Sequence, residues 1–550
     1  MDKKLMLGNE AVARGAFEAG VTVASSYPGT PSTEITENIA KYDEIYSEWA
    51  PNEKVSLETV VGASIAGARS ICAMKHVGLN VAADPLFTSS YTGVNGGLVI
   101  AVADDPGMHS SQNEQDTRHY ARSAKLPILA PADSQESKEF VKKAYEISEN
   151  FDTPVIVRLS TRISHSKSVV ELEEREEYQL KDYEKDFEKY VMMPAMGRKR
   201  HVIVEERIKN LQEFANDFEL NKIEWGSKDI GVITSGIAYQ YAREAFGDAS
   251  FLKLGMEYPY PDNLIQEFAS EVDKLYVIEE LDPFFENHIK SMGIEVTGKD
   301  KLPQTGELSK QIIVENMLKE EKQDKSEASI EKETPVRPPV MCPGCPHRGA
   351  YFVFDKLDLT VTGDIGCYTL GALPPLESMD TCICMGASVS AAHGMEKARG
   401  KEFGKNTVAV IGDSTFIHSG ITGLIDIVYN KGCSTIVILD NSITGMTGHQ
   451  ENPTTGYTIK GEPTAQVDLV KLSKAVGIDR VEVADPFNLE EFEKVVKKEV
   501  EADEPSVIIS QRPCALLETA DYSGYMEINQ DKCTYCKQCM NIACPAIVDQ

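Results

Sequence analysis

The chain has 550 residues, of which 42% are apolar and 26% charged, and a formal net charge of −30. Its length asks for roughly three or four domains and a site shared between them, because single cores stop growing well below this size. The negative charge excludes nucleic acid and anionic membranes as partners by long-range repulsion, and no apolar run approaches the ~20 residues that span a bilayer.

The acidic surface either solubilises the chain or docks a basic partner. Eleven of the twelve cysteines lie beyond residue 341, several only two or three positions apart. This is metal-ligand spacing rather than a disulfide framework, and it predicts a reducing, cytoplasmic setting in a cell with little oxygen. The start, MDKKLMLGNEAVARGAF, runs directly into an amphipathic pattern, so no signal peptide is expected.

Residues 1–165 carry a first α/β alternation. GVTVASSYPG, GLVIAVADD and TPVIVRLS read as short buried strands, each followed by a turn and a helix-period stretch, the pattern that builds a parallel sheet. Glu58 opens a predicted helix whose Gly62, Ala63, Gly67 and Ala68 allow close packing against something flat. It is then either a working carboxylate or an exposed first-turn acid favoured by the helix dipole. Residues 166–225 are rich in Glu, Lys and Tyr and poor in strand signals, which predicts a solvated connector or cap. A second alternation covers 226–318, and the charge-dense stretch 319–339, ending in prolines, predicts a linker. The third α/β unit, 340–528, has NTVAVIGDS and STIVILDN as its best strands, and 529–550 form a small tail with four cysteines.

In the third unit, Gly412-Asp413-Ser414 follows the strand TVAVI, and 26 residues separate Ser414 from Asn441 at the end of TIVILD. The carboxyl ends of neighbouring parallel strands are where open α/β sheets bind ligands. Asp413, the Asn441 side chain and a carbonyl near Ile443 offer the oxygen ligands that Mg²⁺ prefers beside phosphate. Gly386-Ala387-Ser388 and the loop Thr444 to Gly448, with Gly445, either let backbone N–H groups approach phosphate oxygens or are plain turns.

Two cysteine sets follow. Cys342-Pro-Gly-Cys345, with Cys367 and Cys514, suits zinc or an iron-sulfur cluster equally on spacing alone. Cys382 and Cys384 are left unassigned, and Cys72 and Cys433 read as small buried hydrophobes. Cys533-x-x-Cys536-x-x-Cys539 followed by Cys544-Pro545 is a bacterial-ferredoxin run with one extra residue before the last cysteine. It serves one cluster by itself, or a second run belongs with it beyond this sequence.

Together these motifs resemble the thiamine-diphosphate-dependent 2-oxoacid:ferredoxin oxidoreductases. The Gly-Asp-Ser, the gap and the Asn are similar to the metal-diphosphate motif of thiamine enzymes. That likeness implies Mg²⁺ on Asp413, Asn441 and the Ile443 carbonyl, with the diphosphate near Gly386, Ala387, Gly412, Ser414 and Gly445. Tyr27-Pro28-Gly29-Thr30-Pro31-Ser32, after Gly8-Asn9-Glu10-Ala11 and Gly15-Ala16-Phe17-Glu18-Ala19-Gly20, matches the opening of the family's first domain and implies that Thr30 contacts the substrate carboxylate. In the family, the acid ten residues before the second Ala of the Gly-Ala pair protonates N1′ of the aminopyrimidine, and counting back from Ala68 gives Glu58. The family's inner 4Fe-4S cluster is held by a Cys-x-x-Cys, a Cys after Ile-Gly and a late Cys, which implies Cys342, Cys345, Cys367 and Cys514. Cys533, Cys536, Cys539 and Cys544 resemble the outer relay.

The segments ADPLFTSSYTGVNGG and DDPGMHSSQNEQD look like the indolepyruvate branch rather than the pyruvate enzymes, and no arginine matches the pyruvate-contacting one. His109, Ser110, Gln112 and Asn113 border the expected pocket or are ordinary loop residues. The resemblance implies an α/β fold of several doubly wound, transketolase-like thiamine domains with a small ferredoxin-like tail. Its parts are a pyrimidine-binding domain at 1–165, a transketolase-C-terminal-like domain at 226–318, a diphosphate-binding domain at 340–528 and the tail at 529–550. It further implies oxidation of an arylpyruvate with coenzyme A to arylacetyl-CoA and carbon dioxide, with electrons passing to ferredoxin. A smaller β subunit in a hetero-oligomer is also implied. The rivals are the same chemistry on pyruvate, 2-oxoglutarate or phenylglyoxylate, a non-oxidative thiamine decarboxylase, and an electron-transfer subunit without the cofactor.

Overall fold

The computed structural model describes residues 2–318, 335, 337–517 and 527–547. Contacts divide the chain into two units, 1–330 and 331–550. Most of the expected linker, 319–334 and 336, lies outside the described residues.

The first unit is built on a seven-stranded sheet in the order Met256–Tyr258, Ile128–Leu129, Val155–Ser160, Leu98–Asp104, Ser70–Lys75, Val23–Ser26, Tyr46–Trp49. Its neighbours run parallel except Met256–Tyr258, which is antiparallel to Ile128–Leu129. In Leu98–Asp104 every residue is buried. Val99, Ala101 and Ala103 enter one core, with Val12 and Ala16 of the helix Gly8–Glu18 and Val141 and Ala144 of the helix Ser134–Phe151. Leu98, Ile100 and Val102 enter the other, with Leu57 and Val60 of the helix Glu53–Ile65. The two-residue period of a strand thus feeds two apolar layers, as a parallel sheet covered on both faces requires.

A second sheet in this unit has the order Lys274–Ile278, Ser227–Thr234, Ala249–Lys253, Lys222–Glu224; the first three run parallel and the last antiparallel. The stretch 166–225 holds more order than a solvated connector. Lys167–Glu171 pairs antiparallel with Lys3–Leu7, and Pro194–Asp217 form a helix of 24 residues that buries Arg200, Val204, Arg207, Leu211 and Ala215 at helical spacing. Two arginines in that stripe hid it from a composition reading. They are buried because Arg200 donates to the Tyr91 carbonyl at 2.6 Å and Arg207 to the Ser90 carbonyl at 2.6 Å.

The second unit has one fully parallel sheet in the order Thr381–Cys382, Thr360–Gly363, Thr407–Gly412, Thr435–Asp440, Ser506–Gln511, Arg480–Ala484. All six residues of Thr407–Gly412 are buried, and so are all six of Thr435–Asp440. Their carboxyl ends lie side by side in the middle of the sheet and release Asp413 and Asn441 there. From 527 to 547 the regular structure described is one short turn, Gln538–Ile542, so the ferredoxin likeness of the tail rests on its cysteine spacing. Among the described residues no helix is long and apolar enough to cross a membrane.

Candidate functional site

At the carboxyl end of the second unit's parallel sheet, Asp413 is 3% exposed. Its Oδ2 accepts from Thr454 Oγ1 at 3.0 Å and Asn452 Nδ2 at 3.5 Å. Burial, with the neighbouring Asp440 adding to it, pushes the Asp413 carboxyl up to about 7. Asp440 itself accepts from Gln511 and from the Ser442 amide. Two buried carboxylates with these neutral partners form a donor set suited to a divalent cation, which would cancel their repulsion.

Asn441 and Ile443 are buried next to this pair. The Asn441 carbonyl accepts from the Cys514 amide at 2.9 Å. A Cβ on Gly445 would stand 3.5 Å from Cys367 Sγ and 3.7 Å from Asn441 Nδ2. The expected Mg²⁺ ligands and two of the expected cluster ligands therefore share one corner of the fold. Gly412 is glycine because the Tyr368 ring lies where its side chain would begin: a Cβ there would stand 2.8 Å from a ring carbon. Ser414 is buried beside Asp413.

The helix Ala387–Arg399 turns its first amides to a residue that no sequence motif marks. Gly386 and Ser388 donate to the Asp364 carboxylate at 2.8 and 2.9 Å. Gly386 has φ +83, and a side chain there would strike Ser419 Oγ, so the glycine is required by both conformation and space. Asp364, Asp440, Asn452 and Thr454 complete the polar floor of this corner. The signal that could have found Asp364 is its place at the end of the strand Thr360–Gly363, directly before Ile365-Gly366-Cys367.

Cys345 is buried, and Cys342, Cys367 and Cys514 are half-buried. Burial raises Cys345 to about 12 with Cys367 adding to it, and raises Cys367 to about 11 with Cys514 and Cys342 adding. These thiols thus lie within electrostatic reach of one another, and a metal centre would relieve the repulsion of their thiolates. Cys514 Sγ also stands 3.9 Å from His449 Nε2. Arg348, from the same helix that follows Cys345, donates to the carbonyls of Met341, Cys342 and Ala543. It pins the loop carrying Cys342 to the segment carrying Cys544. Cys533, Cys536 and Cys539 are exposed and Cys544 is half-buried. Cys382 and Cys384 are exposed, while Cys72 and Cys433 are buried.

In the first unit, Glu58 is the sixth residue of the helix Glu53–Ile65, which Asn52 caps by accepting from the Val55 amide at 2.9 Å. Glu53, not Glu58, is the buried acid of the first turn. The Glu58 side chain is 46% exposed and pairs with Lys54. Glu58, Gly62 and Ala66 form one exposed face, and a side chain at Gly62 would meet nothing within 4 Å. Of the expected Gly and Ala set only Gly62 is exposed; Gly67 and Ala68 are buried, and a side chain at Gly67 would strike the Lys181 carbonyl.

Thr30 is half-buried in the turn that leaves the strand Val23–Ser26. Its carbonyl accepts from Ser110 Oγ at 3.2 Å, and the neighbouring Pro31 carbonyl accepts from Asn9 Nδ2 at 2.7 Å. Lys75 ends the adjacent strand, and its ammonium donates to the Ser110 carbonyl at 2.6 Å and the Ser110 hydroxyl at 3.3 Å. His109 pairs with Glu307 at 3.0 Å, the Asn113 carbonyl meets His76 Nε2 at 3.3 Å, and Gln112 is exposed. Behind this edge, Arg118 is held by Asp116 and Glu279, each at 2.6 Å, and Arg158 by Asp104 at 2.6 Å and Glu257 at 3.1 Å.

Two family models and several relatives match the chain. The family described as pyruvate flavodoxin/ferredoxin oxidoreductase, thiamine diphosphate-binding, matches residues 14–228. The thiamine pyrophosphate enzyme C-terminal binding domain matches residues 364–510. The chain is 41% identical to the indolepyruvate oxidoreductase subunit IorA of Archaeoglobus fulgidus, covering 100% of this chain and 93% of that relative. It is also 41% identical to the subunit of the same name from Pyrococcus horikoshii, covering 99% and 92%. The 2-oxoglutarate synthase subunit KorA of Archaeoglobus fulgidus is 26% identical over 51% of this chain and 88% of its own length. With its α/β sheets, its thiamine-binding domains and relatives at this identity along its whole length, the chain belongs to the indolepyruvate oxidoreductase IorA family of thiamine-diphosphate-dependent 2-oxoacid:ferredoxin oxidoreductases.

Proposed function

We propose that this chain is the large subunit of an enzyme that oxidises arylpyruvates such as indolepyruvate. One arylpyruvate, one coenzyme A and two oxidised ferredoxins give one arylacetyl-CoA, one carbon dioxide, two reduced ferredoxins and a proton. The observation that supports the reading is the corner where Asp413 and Asn441 lie near Cys367 and Cys514: oxygens suited to a cation stand close to thiols suited to a one-electron centre. That juxtaposition favours an oxidising enzyme over a plain decarboxylase, which has no use for the thiols.

Asp413, Asn441 and the Ile443 carbonyl would hold Mg²⁺, with Gly412, Ser414, Gly445, Gly386 and Ala387 near the diphosphate. Asp364 competes for the amides of Gly386 and Ser388, so its burial, which raises its carboxyl above the ordinary range, bears on how firmly it keeps them. When bound, thiamine diphosphate supplies the carbon nucleophile for the 2-oxo carbon and takes up the electrons released with carbon dioxide. Glu58 would hold the proton at N1′ of the aminopyrimidine, and Thr30 would orient the substrate carboxylate. Cys342, Cys345, Cys367 and Cys514 would hold an inner 4Fe-4S cluster, and Cys533, Cys536, Cys539 and Cys544 an outer one that passes electrons to ferredoxin.

The smaller β subunit, a hetero-oligomeric assembly, a cytoplasmic setting and the domain limits at 165, 225, 318, 339 and 528 belong to the same proposal. The test is anaerobic ferredoxin reduction by the chain with its partner subunit on indolepyruvate, phenylpyruvate, pyruvate and 2-oxoglutarate, with and without coenzyme A. Arylpyruvates and coenzyme A together should give the fastest turnover. Glu58→Gln should abolish it with the fold intact, and normal turnover in that variant would remove Glu58 from the mechanism.

A further inference from the structure

A 2-oxoacid brings a carboxylate into its site, and a neutral threonine hydroxyl alone is a weak counterpart for it. We infer that Lys75 is the cation that recognises the substrate carboxylate, acting beside Thr30 at the carboxyl ends of the strands Val23–Ser26 and Ser70–Lys75. This inference deepens the functional reading above and rests on it.

Three lysines are buried among the described residues: Lys75, Lys138 and Lys253. Lys138 pairs with Glu18 at 3.2 Å and Glu173 at 3.3 Å, and Lys253 pairs with Glu136. Lys75, 7% exposed, has no carboxylate within 4 Å among the described residues. Its ammonium contacts are the carbonyl and hydroxyl of a single residue, Ser110. An ammonium carries three donors and is costly to bury without a counter-charge. Asp105 is near enough to feel the charge, but its carboxylate accepts from the Ser110 amide at 2.9 Å, the Thr161 hydroxyl at 2.6 Å and the Ser111 hydroxyl. Burial draws Lys75 down to about 8, against the pull of Asp105, which leaves it mostly charged near neutral pH.

Position then ties this charge to the Thr30 turn. The Ser110 hydroxyl that receives the Lys75 ammonium also donates to the Thr30 carbonyl. A Cβ on Gly29, next to Thr30, would stand 3.3 Å from Lys75 Cβ. The strand ends carrying the two residues are neighbours in register, with Ser26 opposite Ala73. Ser110 lies in an exposed loop, residues 107–110, so the oxygens now holding the ammonium belong to a segment that a ligand can approach. A substrate carboxylate would take the place of those oxygens.

The experiment uses the complete enzyme with its partner subunit and compares the wild type with Lys75→Met, Lys75→Gln and Lys75→Arg. Two competitive inhibitors of arylpyruvate oxidation are titrated, indole-3-propionate and its uncharged amide. In the wild type the acid should bind better than the amide. Lys75→Met and Lys75→Gln should weaken the acid, and raise the KM of the arylpyruvate, by roughly ten- to hundredfold, the worth of a charge-assisted hydrogen bond. The amide should bind as before, and Lys75→Arg should recover most of the preference for the acid. Equal losses for acid and amide would mark Lys75 as a structural residue, and unchanged acid binding would remove it from the site. Either result overturns the inference. A wild type that is inactive on arylpyruvates defeats instead the functional reading beneath it. Lys75→Gln keeps an uncharged donor facing Ser110, so it reports even if Lys75→Met folds poorly.

Discussion

Asp413→Asn separates a buried carboxylate that waits for a cation from one that merely braces a turn. The asparagine keeps the size and an acceptor for Thr454 while removing the charge that faces Asp440. Moving the Asp413 carboxyl from its ordinary 3.8 to about 7 corresponds to about 4 kcal/mol at most between its charged and neutral forms. A carboxyl raised in the folded state binds its proton more readily folded than unfolded. Stability of the cofactor-free protein should therefore fall as pH rises from about 4 to about 7 and level off above that. At pH 8 the variant escapes this penalty. Even a quarter of it, about 1 kcal/mol, moves the melting midpoint of a unit of this size by about 2–4 °C. The assay is thermal unfolding of both proteins from pH 4 to 8, with and without Mg²⁺ and thiamine diphosphate. Without ligands the variant should melt higher at pH 8. With them the wild type alone should be stabilised, and its affinity for the metal should rise about tenfold from pH 6 to pH 8 as the proton leaves. A wild-type profile that is flat over this range, or equal stabilisation of both proteins by the ligands, would refute the reasoning.

Two further outcomes follow from the same corner. Gly386→Ala forces a side chain onto Ser419 Oγ at a backbone φ of +83, so it should destabilise the second unit by about 1–3 kcal/mol and weaken cofactor binding, both read by calorimetry. Cys367→Ala and Cys514→Ala should each lower iron by about four atoms per chain, the content of one 4Fe-4S cluster, whereas Cys382→Ala should leave it unchanged. Iron analysis of anaerobically prepared protein checks both, and full iron in the Cys514 variant would dismiss that residue as a ligand.

The parts of the fold that were legible are those where a short apolar run ends in a punctuating residue. Thr407–Gly412 and Thr435–Asp440 are such runs, and because parallel strands must be buried on both faces their composition announces them. Asp413 and Asn441 follow at their ends and were found by position. Asp364 stands at a strand end in the same way, after Thr360–Gly363, but outside any motif, while Asn452 and Thr454 come from a loop whose relation to the strand ends is set only by the folded chain. The helix Pro194–Asp217 escapes a composition reading because Arg200 and Arg207 occupy core-facing positions, held by distant carbonyls and, for Arg200, by Asp152, partners that no local pattern reveals. Lys75 looks in sequence like the charged end of a strand, and only burial without a carboxylate sets it apart. Glu58 shows the converse: its number was reached by counting within a motif, while its open, half-exposed face is a property of the helix surface.

Arg348 reaches across to the tail through backbone carbonyls rather than through acids. An attraction between a guanidinium and carbonyl dipoles neither titrates across the working pH range nor dissolves in salt as an exposed ion pair does. The tail can thus be flooded with ions, or pressed by a highly charged electron carrier, without being pried off its mooring. With metal centres held at both cysteine sets, this mooring would tie the loop of one to the segment of the other, and the rate at which an electron passes between them should vary less with ionic conditions than the strength of carrier docking does.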